Sequence, residues 1–241
     1  MRLRSWLLAA LGLSVLINAL LLWQSRSRYI ADLIRQVWPA GTGAPVVLES
    51  ALGGSPTILL LGDSRIAQWE LPRPERGRIV NAGISGATTA RIADAARDFL
   101  ERYRPDVVVI EAGINDLKLA GARPDLSAKI VDEAFANLAR LVKHCRAAQA
   151  KVLVLPVWPA SEPSLLRRPV WNSAAVSGAV AALNERLRSL EGPGVMVCDL
   201  FAEIGGKPAY RDTLHLQPET YQRLTPRLEA WIQKSGAVVS P

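Results

Sequence analysis

The sequence predicts a doubly wound α/β domain carried behind one apolar N-terminal helix. Three observations point there. Short apolar runs recur between residues 57 and 198, segments of helical period separate them, and residues 5–23 hold no charge at all. With 49% hydrophobic and 21% charged residues among 241, the chain has material for a sizeable core, which excludes wholesale disorder.

The N-terminal stretch comes first. At 1.5 Å per residue, positions 5–23 span about 28 Å, close to the ~30 Å hydrocarbon core of a bilayer. Trp6 and Trp23 stand near its ends, where indole rings prefer the headgroup level. A cleaved signal peptide is the competing reading. Its apolar stretch is usually only ~7–15 residues, and Ser25-Arg26-Ser27 is a poor cleavage site. We therefore read residues 1–25 as a retained membrane anchor. Arg2 and Arg4 before it are balanced by Arg26, Arg28 and Arg35 after it, so flanking charge gives little direction. An extracytoplasmic, periplasmic location is expected for the following domain because short N-terminal anchors commonly export what lies behind them. Residues 26–56 read as a linker, punctuated by Pro39, Gly41, Gly43, Pro45, Gly53, Gly54 and Pro56. Within it, residues 29–38 form an apolar–basic stretch suited to a membrane surface.

From residue 57 to 241 the pattern is that of a single domain. Strands are expected at 57–61, 78–80, 107–111, 151–157 and 195–198. Several are apolar on successive residues, as in a parallel sheet covered on both faces. Between them Ile92, Ala95, Ala96, Phe99, Leu100 and Tyr103 follow helical spacing. Ile130, Ala134, Leu138, Leu141 and Cys145 make a second stripe, and Val176, Val180, Leu183, Leu187 and Leu190 a third. A last helix opens with Gln217 as cap and Pro218 at the first position, turning Tyr221, Leu224, Leu228 and Trp231 inward, with a bend at Pro226. Strand–helix alternation of this kind gives right-handed βαβ crossovers, and the chemistry of such sheets gathers at the carboxyl ends of the strands.

Those ends carry a recognisable set of groups. The first strand runs into Gly62-Asp63-Ser64, the second into Asn81-Ala82-Gly83, the third into Gly113-Ile114-Asn115-Asp116, and Asp212-Thr213-Leu214-His215 follows the fifth. Each piece alone reads as a turn or a helix cap. Together they supply what acyl transfer needs. A serine hydroxyl requires a base, and the chain offers two histidines. His144 lies on a helix beside an apolar stripe and reads as structural or solvated. His215 lies in a loop on the catalytic side, three residues after Asp212, so the carboxylate can fix its tautomer while the other nitrogen faces Ser64. Oxyanion donors are then the Ser64 N–H, the Gly83 N–H and the Asn115 side-chain amide. Asp63 and Asp116 order the site rather than enter the chemistry. Arg65 either meets an anionic part of a substrate or pairs with Glu111.

In these residues the sequence resembles the SGNH hydrolases, the GDSL esterase/lipase family. The blocks are Leu60-Leu61-Gly62-Asp63-Ser64, Asn81-Ala82-Gly83-Ile84-Ser85-Gly86, Gly113-Ile114-Asn115-Asp116 and Asp212-Thr213-Leu214-His215-Leu216, in the family's order. The resemblance implies a flavodoxin-like three-layer α/β/α sandwich with a five-stranded parallel sheet. It also implies Ser64, Asp212 and His215 as catalytic residues, with Gly83 and Asn115 in the oxyanion hole and no cofactor. After the serine the run Arg65-Ile66-Ala67-Gln68-Trp69 departs from the family's usual small and hydroxyl residues, so the subfamily stays open.

Composition narrows the partners. Two cysteines, Cys145 and Cys198, give no disulfide framework, and two histidines no clustered metal site. The net charge of +7 divides between the front and the domain: beyond residue 55, 24 basic residues face 20 acidic ones, an ordinary solvated surface rather than a nucleic-acid footprint. Residues 158–171, with Pro159, Pro163, Arg167, Arg168 and Pro169, form a long loop, either a substrate wall or plain surface. The expected function is a membrane-tethered serine ester hydrolase acting on O-acetyl groups of envelope glycans, or on small or lysophospholipid acyl esters. An O-acyltransferase with the same residues and a non-catalytic binding module are the alternatives.

Overall fold

The computed structural model describes residues 2–35, 45–51, 54, 56–165, 168, 171–204 and 207–236. By its packing the chain divides into two units, Met1–Gln36 and Val37–Pro241. The first is one helix, α1 (Arg2–Arg35). Its segment Trp6–Arg28, 23 residues long, is long and apolar enough to cross a membrane, and its side chains are exposed. Such a segment fits an anchor or a signal sequence equally by length and composition. The helix continues ten residues past the expected end of the anchor. Pro39, Gly41, Gly43 and Gly53 of the expected linker lie outside the described residues.

The second unit holds β1 (Val46–Glu49), β2 (Thr57–Gly62), α2 (Ser64–Ala67), β3 (Arg78–Gly83), α3 (Thr89–Tyr103), β4 (Val107–Glu111) and α4 (Ile114–Ala122). Then come α5 (Ser127–Ala147), β5 (Lys151–Val154), α6 (Ser173–Leu187), β6 (Val195–Val197), α7 (Leu200–Glu203) and α8 (Pro218–Lys234). The sheet order is β1-β3-β2-β4-β5-β6. The five strands from β3 to β6 are parallel, and β1 runs antiparallel on the edge beside β3.

That edge strand is the main departure from the sequence reading, which placed residues 46–49 in the linker. Val46 pairs with Asn81 and Glu49 with Arg78, so these four residues belong to the sheet. Flanking Pro45 and Gly54 hid a short Val-Val-Leu run whose partner lies over thirty residues away. The pairing also covers the open edge of β3, an edge that would otherwise invite association.

Alternating residues of the central strands face two helical layers. Ile58, Leu60, Val107, Val109, Leu153 and Leu155 pack on α8 through Tyr221, Leu224, Leu228 and Ile232. The opposite face carries Leu59, Leu61, Val108, Ile110, Val152 and Val154, all buried, under the layer of α3, α4, α5 and α6. The expected stripe on α8 shifts by one at its end: Ile232 is buried, whereas Trp231 is half-exposed and donates its indole N–H to Glu203 Oε1 at 3.0 Å. An indole with a polar partner at the surface has little reason to turn inward. Helix α8 runs through Pro226 as one element.

Candidate active site

In this strand order β2 sits between β3 and β4, where successive crossovers leave in opposite directions and open a crevice at the carboxyl ends. The blocks picked out in the sequence end there. Strand β2 delivers Asp63 and Ser64, β3 delivers Gly83, and β4 leads into Asn115 and Asp116 at the start of α4.

Ser64 opens α2. Asp63 is its cap, with Oδ1 accepting the Arg65 N–H at 2.9 Å, so the serine sits at the first helical position, where its N–H has no intrahelical acceptor. Ser64 Oγ lies 2.9 Å from His215 Nε2, and His215 Nδ1 lies 2.7 Å from Asp212 Oδ2. The other carboxylate oxygen, Oδ1, accepts the N–H groups of Leu214 at 2.8 Å and His215 at 2.9 Å. One short loop thus folds around its own acid. Partial burial pushes the Asp212 carboxyl up, but those two N–H groups and the imidazole outweigh it and draw it down to about 2.

Arg65 does not face solvent. It is fully buried, donating from Nε to Leu214 O (2.9 Å), from Nη1 to Trp158 O (2.6 Å) and from Nη2 to Pro159 O (3.0 Å). Its Nη1 also lies 3.6 Å from Glu111 Oε1. Of the two roles open in the sequence, the pairing with Glu111 is the one present. Burial, then the nearby Asp63 charge, push the Glu111 carboxyl up to about 8, with Arg65 opposing them. Burial likewise raises Asp63. Asp116 accepts from the N–H of Thr89 at 2.9 Å and its hydroxyl at 2.8 Å, tying α4 to the start of α3. Burial raises it to about 6 despite those bonds.

The donors are less simple than the sequence suggests. The Gly83 N–H is already given to Asn81 Oδ1 at 3.0 Å. Gly83 is needed for space: a Cβ there would overlap Ala67 N and lie 2.6 Å from Ala67 Cα, so only glycine lets β3 approach α2. Three residues on, Gly86 adopts φ +76° in a turn, half-exposed, and its N–H meets no acceptor among the described residues. The pair Ser85-Gly86 was visible in the block, but nothing in the sequence tells where either glycine's N–H points. Asn115 gives one N–H of its amide to Ala87 O at 3.0 Å, and its Oδ1 accepts from Lys118 Nζ at 2.9 Å. Lys118 was not singled out in the sequence, where it is one of 29 basic residues.

The start of the long loop meets the site as well, with Ser161 N–H donating to Thr213 O at 2.8 Å. Arg167 and Pro169 of that loop lie outside the described residues. His144 is half-buried on α5, and Cys145 and Cys198 are free, buried thiols.

Comparison with known proteins bears on this arrangement. A model of the GDSL-like lipase/acylhydrolase family matches residues 40–223. An arylesterase from Vibrio mimicus is 28% identical over 125 residues, which is 46% of this chain and 58% of that protein, so the match spans little more than half the relative's length. Two solved structures share the fold. A GDSL-like lipase from Bacteroides thetaiotaomicron has a TM-score of 0.59 at 21% identity, covering 74% of this chain and 88% of that one. A lipase/acylhydrolase from Enterococcus faecalis has a TM-score of 0.56 at 20% identity, covering 77% and 100%. With more than half of its length matched by the family model, on the same α/β architecture, the chain belongs to the GDSL-like lipase/acylhydrolase family.

Proposed function

We propose that the chain is a membrane-tethered ester hydrolase in which Ser64 is the nucleophile, His215 the base and Asp212 the acid that orients it. What supports this reading is the relay of two hydrogen bonds, 2.9 Å from Ser64 Oγ to His215 Nε2 and 2.7 Å from His215 Nδ1 to Asp212 Oδ2. Ser64 Oγ bonds to the ester carbonyl carbon as its proton passes to Nε2, and the carbonyl electron pair moves onto oxygen. Collapse of that intermediate expels the alcohol, which takes the proton from Nε2 and leaves an acyl-serine. Water then gives a proton to Nε2 and attacks in turn. The second collapse frees the acid and returns the proton to Oγ. The Ser64 N–H, the remaining N–H of the Asn115 amide and the Gly86 N–H hold the oxyanion, Gly86 taking the place expected for Gly83.

Residues 1–25 serve as the anchor and 57–241 as the catalytic domain, with the intervening stretch as tether apart from strand β1. The domain faces the extracytoplasmic side. Tethering favours an ester held near the envelope, either O-acetyl groups of glycans or small and lysophospholipid acyl esters.

Ser64→Ala abolishes turnover of 4-nitrophenyl acetate while the melting temperature stays that of the wild type; undiminished turnover would refute the nucleophile. A profile of esters from C2 to C16 separates the substrate classes, and partition of acyl product between water and a sugar hydroxyl separates hydrolysis from transfer.

A further inference from the structure

We propose that Lys118 is a positioning residue of the oxyanion site, its ammonium fixing which way the Asn115 amide faces and polarising that amide toward the ester oxygen. The proposal rests on the reading of Asn115 as an oxyanion donor. A primary amide has two ends of nearly equal shape, and it presents an N–H reliably only if its oxygen is met by a donor and its nitrogen by an acceptor. Both conditions hold here. Lys118 Nζ donates to Oδ1 at 2.9 Å, and Ala87 O accepts from Nδ2 at 3.0 Å, which leaves one N–H of the NH2 group for substrate.

The geometry comes from α4. Residues three apart share a helix face, so position 118 stands behind position 115. Lys118 is only 7% exposed, and an ammonium is costly to bury unless something compensates it. Burial lowers its pKa, and the charges of Asp63 and Asp116 oppose that. A residue present only to fill space there would be served by an apolar side chain, whereas Lys118 directs a donor of its charged end at the Asn115 oxygen. That charge stands one side chain behind the donor. It is felt most when the substrate oxygen becomes negative, so its contribution falls on kcat rather than on KM.

The test is a double-mutant cycle on 4-nitrophenyl acetate with the full chain in detergent. Lys118→Met is expected to lower kcat roughly tenfold to a hundredfold with KM within about twofold of wild type. In an Asn115→Ala background the same change should cost less than about threefold, because the lysine acts through the amide. An unchanged kcat in Lys118→Met, or an equal fall in both backgrounds, overturns the proposal. Should Lys118→Met fail to fold, the cycle is run with Lys118→Ala, which removes both the donor and the charge in a smaller side chain, under the same two criteria. Ser64→Ala keeps the outcomes apart. If it retains turnover the serine reading itself has failed; if it is dead while Lys118→Met is silent, only the role of the lysine has.

Discussion

Arg65 shows how much of the site is decided by one side chain. It follows Ser64 directly, yet its guanidinium turns into the protein and donates to the carbonyls of Leu214, Trp158 and Pro159. Its own carbonyl accepts from the Tyr221 hydroxyl at 2.8 Å. The residue after the serine therefore holds the residue before the histidine, which sets the spacing of Ser64 from His215. Lysine lacks the planar fork: its three donors share one nitrogen and cannot reach three carbonyls met by Nε, Nη1 and Nη2 separately. Arg65→Met leaves the Leu214 and Trp158 carbonyls without the guanidinium, while Pro159 O keeps the Tyr210 hydroxyl, and an unsatisfied buried acceptor costs about 1–3 kcal/mol. A fall of that size in the urea unfolding free energy, with loss of esterase turnover, is expected. Wild-type stability in this variant would mean that water replaces the guanidinium and that the hub has no structural weight.

At the scale of elements, the contact between β3 and α2 carries the same logic. Asn81 spends its amide N–H groups on Ile66 O (2.8 Å) and Trp69 O (3.2 Å) and its oxygen on the Gly83 N–H, pinning the end of β3 to the helix that presents Ser64. Gly83→Ala forces a methyl against the backbone of Ala67, which cannot yield as a side chain can. Overpacking of this kind costs about 1–3 kcal/mol, and 1 kcal/mol lowers the melting temperature of a domain this size by roughly 2–4 °C. Both a lower melting temperature and a lower kcat are expected, since the helix that moves carries Ser64; a variant that melts and turns over like wild type would show the approach to be loose. The elements themselves were largely legible, because a parallel sheet buried on both faces writes itself as apolar runs, and the amphipathic α3 and α5 write a clear period between them. Strand β1 was not, since four residues carry no period and its pairing is made by a distant partner. The relay of Ser64, His215 and Asp212 was legible because each residue type is scarce or oddly placed at a strand end. Gly86 and Lys118 were not, since the direction of an N–H and the burial of one lysine among many are properties of the folded chain.

For the molecule as a whole, the cluster beneath the site makes stability depend on pH in a direction opposite to that of a surface ion pair. Glu111 is held up to about 8 and Asp116 up to about 6, both chiefly by burial. In the unfolded chain these carboxyls release their protons near pH 4–4.5. Between there and about pH 8 the folded protein binds more protons than the unfolded one, so its stability falls as pH rises through that window and levels off above it. Asp212 has the other sign, its stabilisation being present above about pH 4 and lost only as pH falls toward 2, outside that range. Glu111→Gln removes one buried carboxyl from the titration, and with it the repulsion between Glu111 and Asp63, so both changes take away proton uptake by the folded chain. The melting temperature of the variant relative to wild type should therefore rise between pH 5 and pH 9, by at least the roughly 2–4 °C that 1 kcal/mol produces. Melting curves at the two pH values measure it directly. A difference that stays constant would mean that the Arg65 charge fully offsets the burial of Glu111, so that the carboxylate sits beneath the site already ionised in the folded chain.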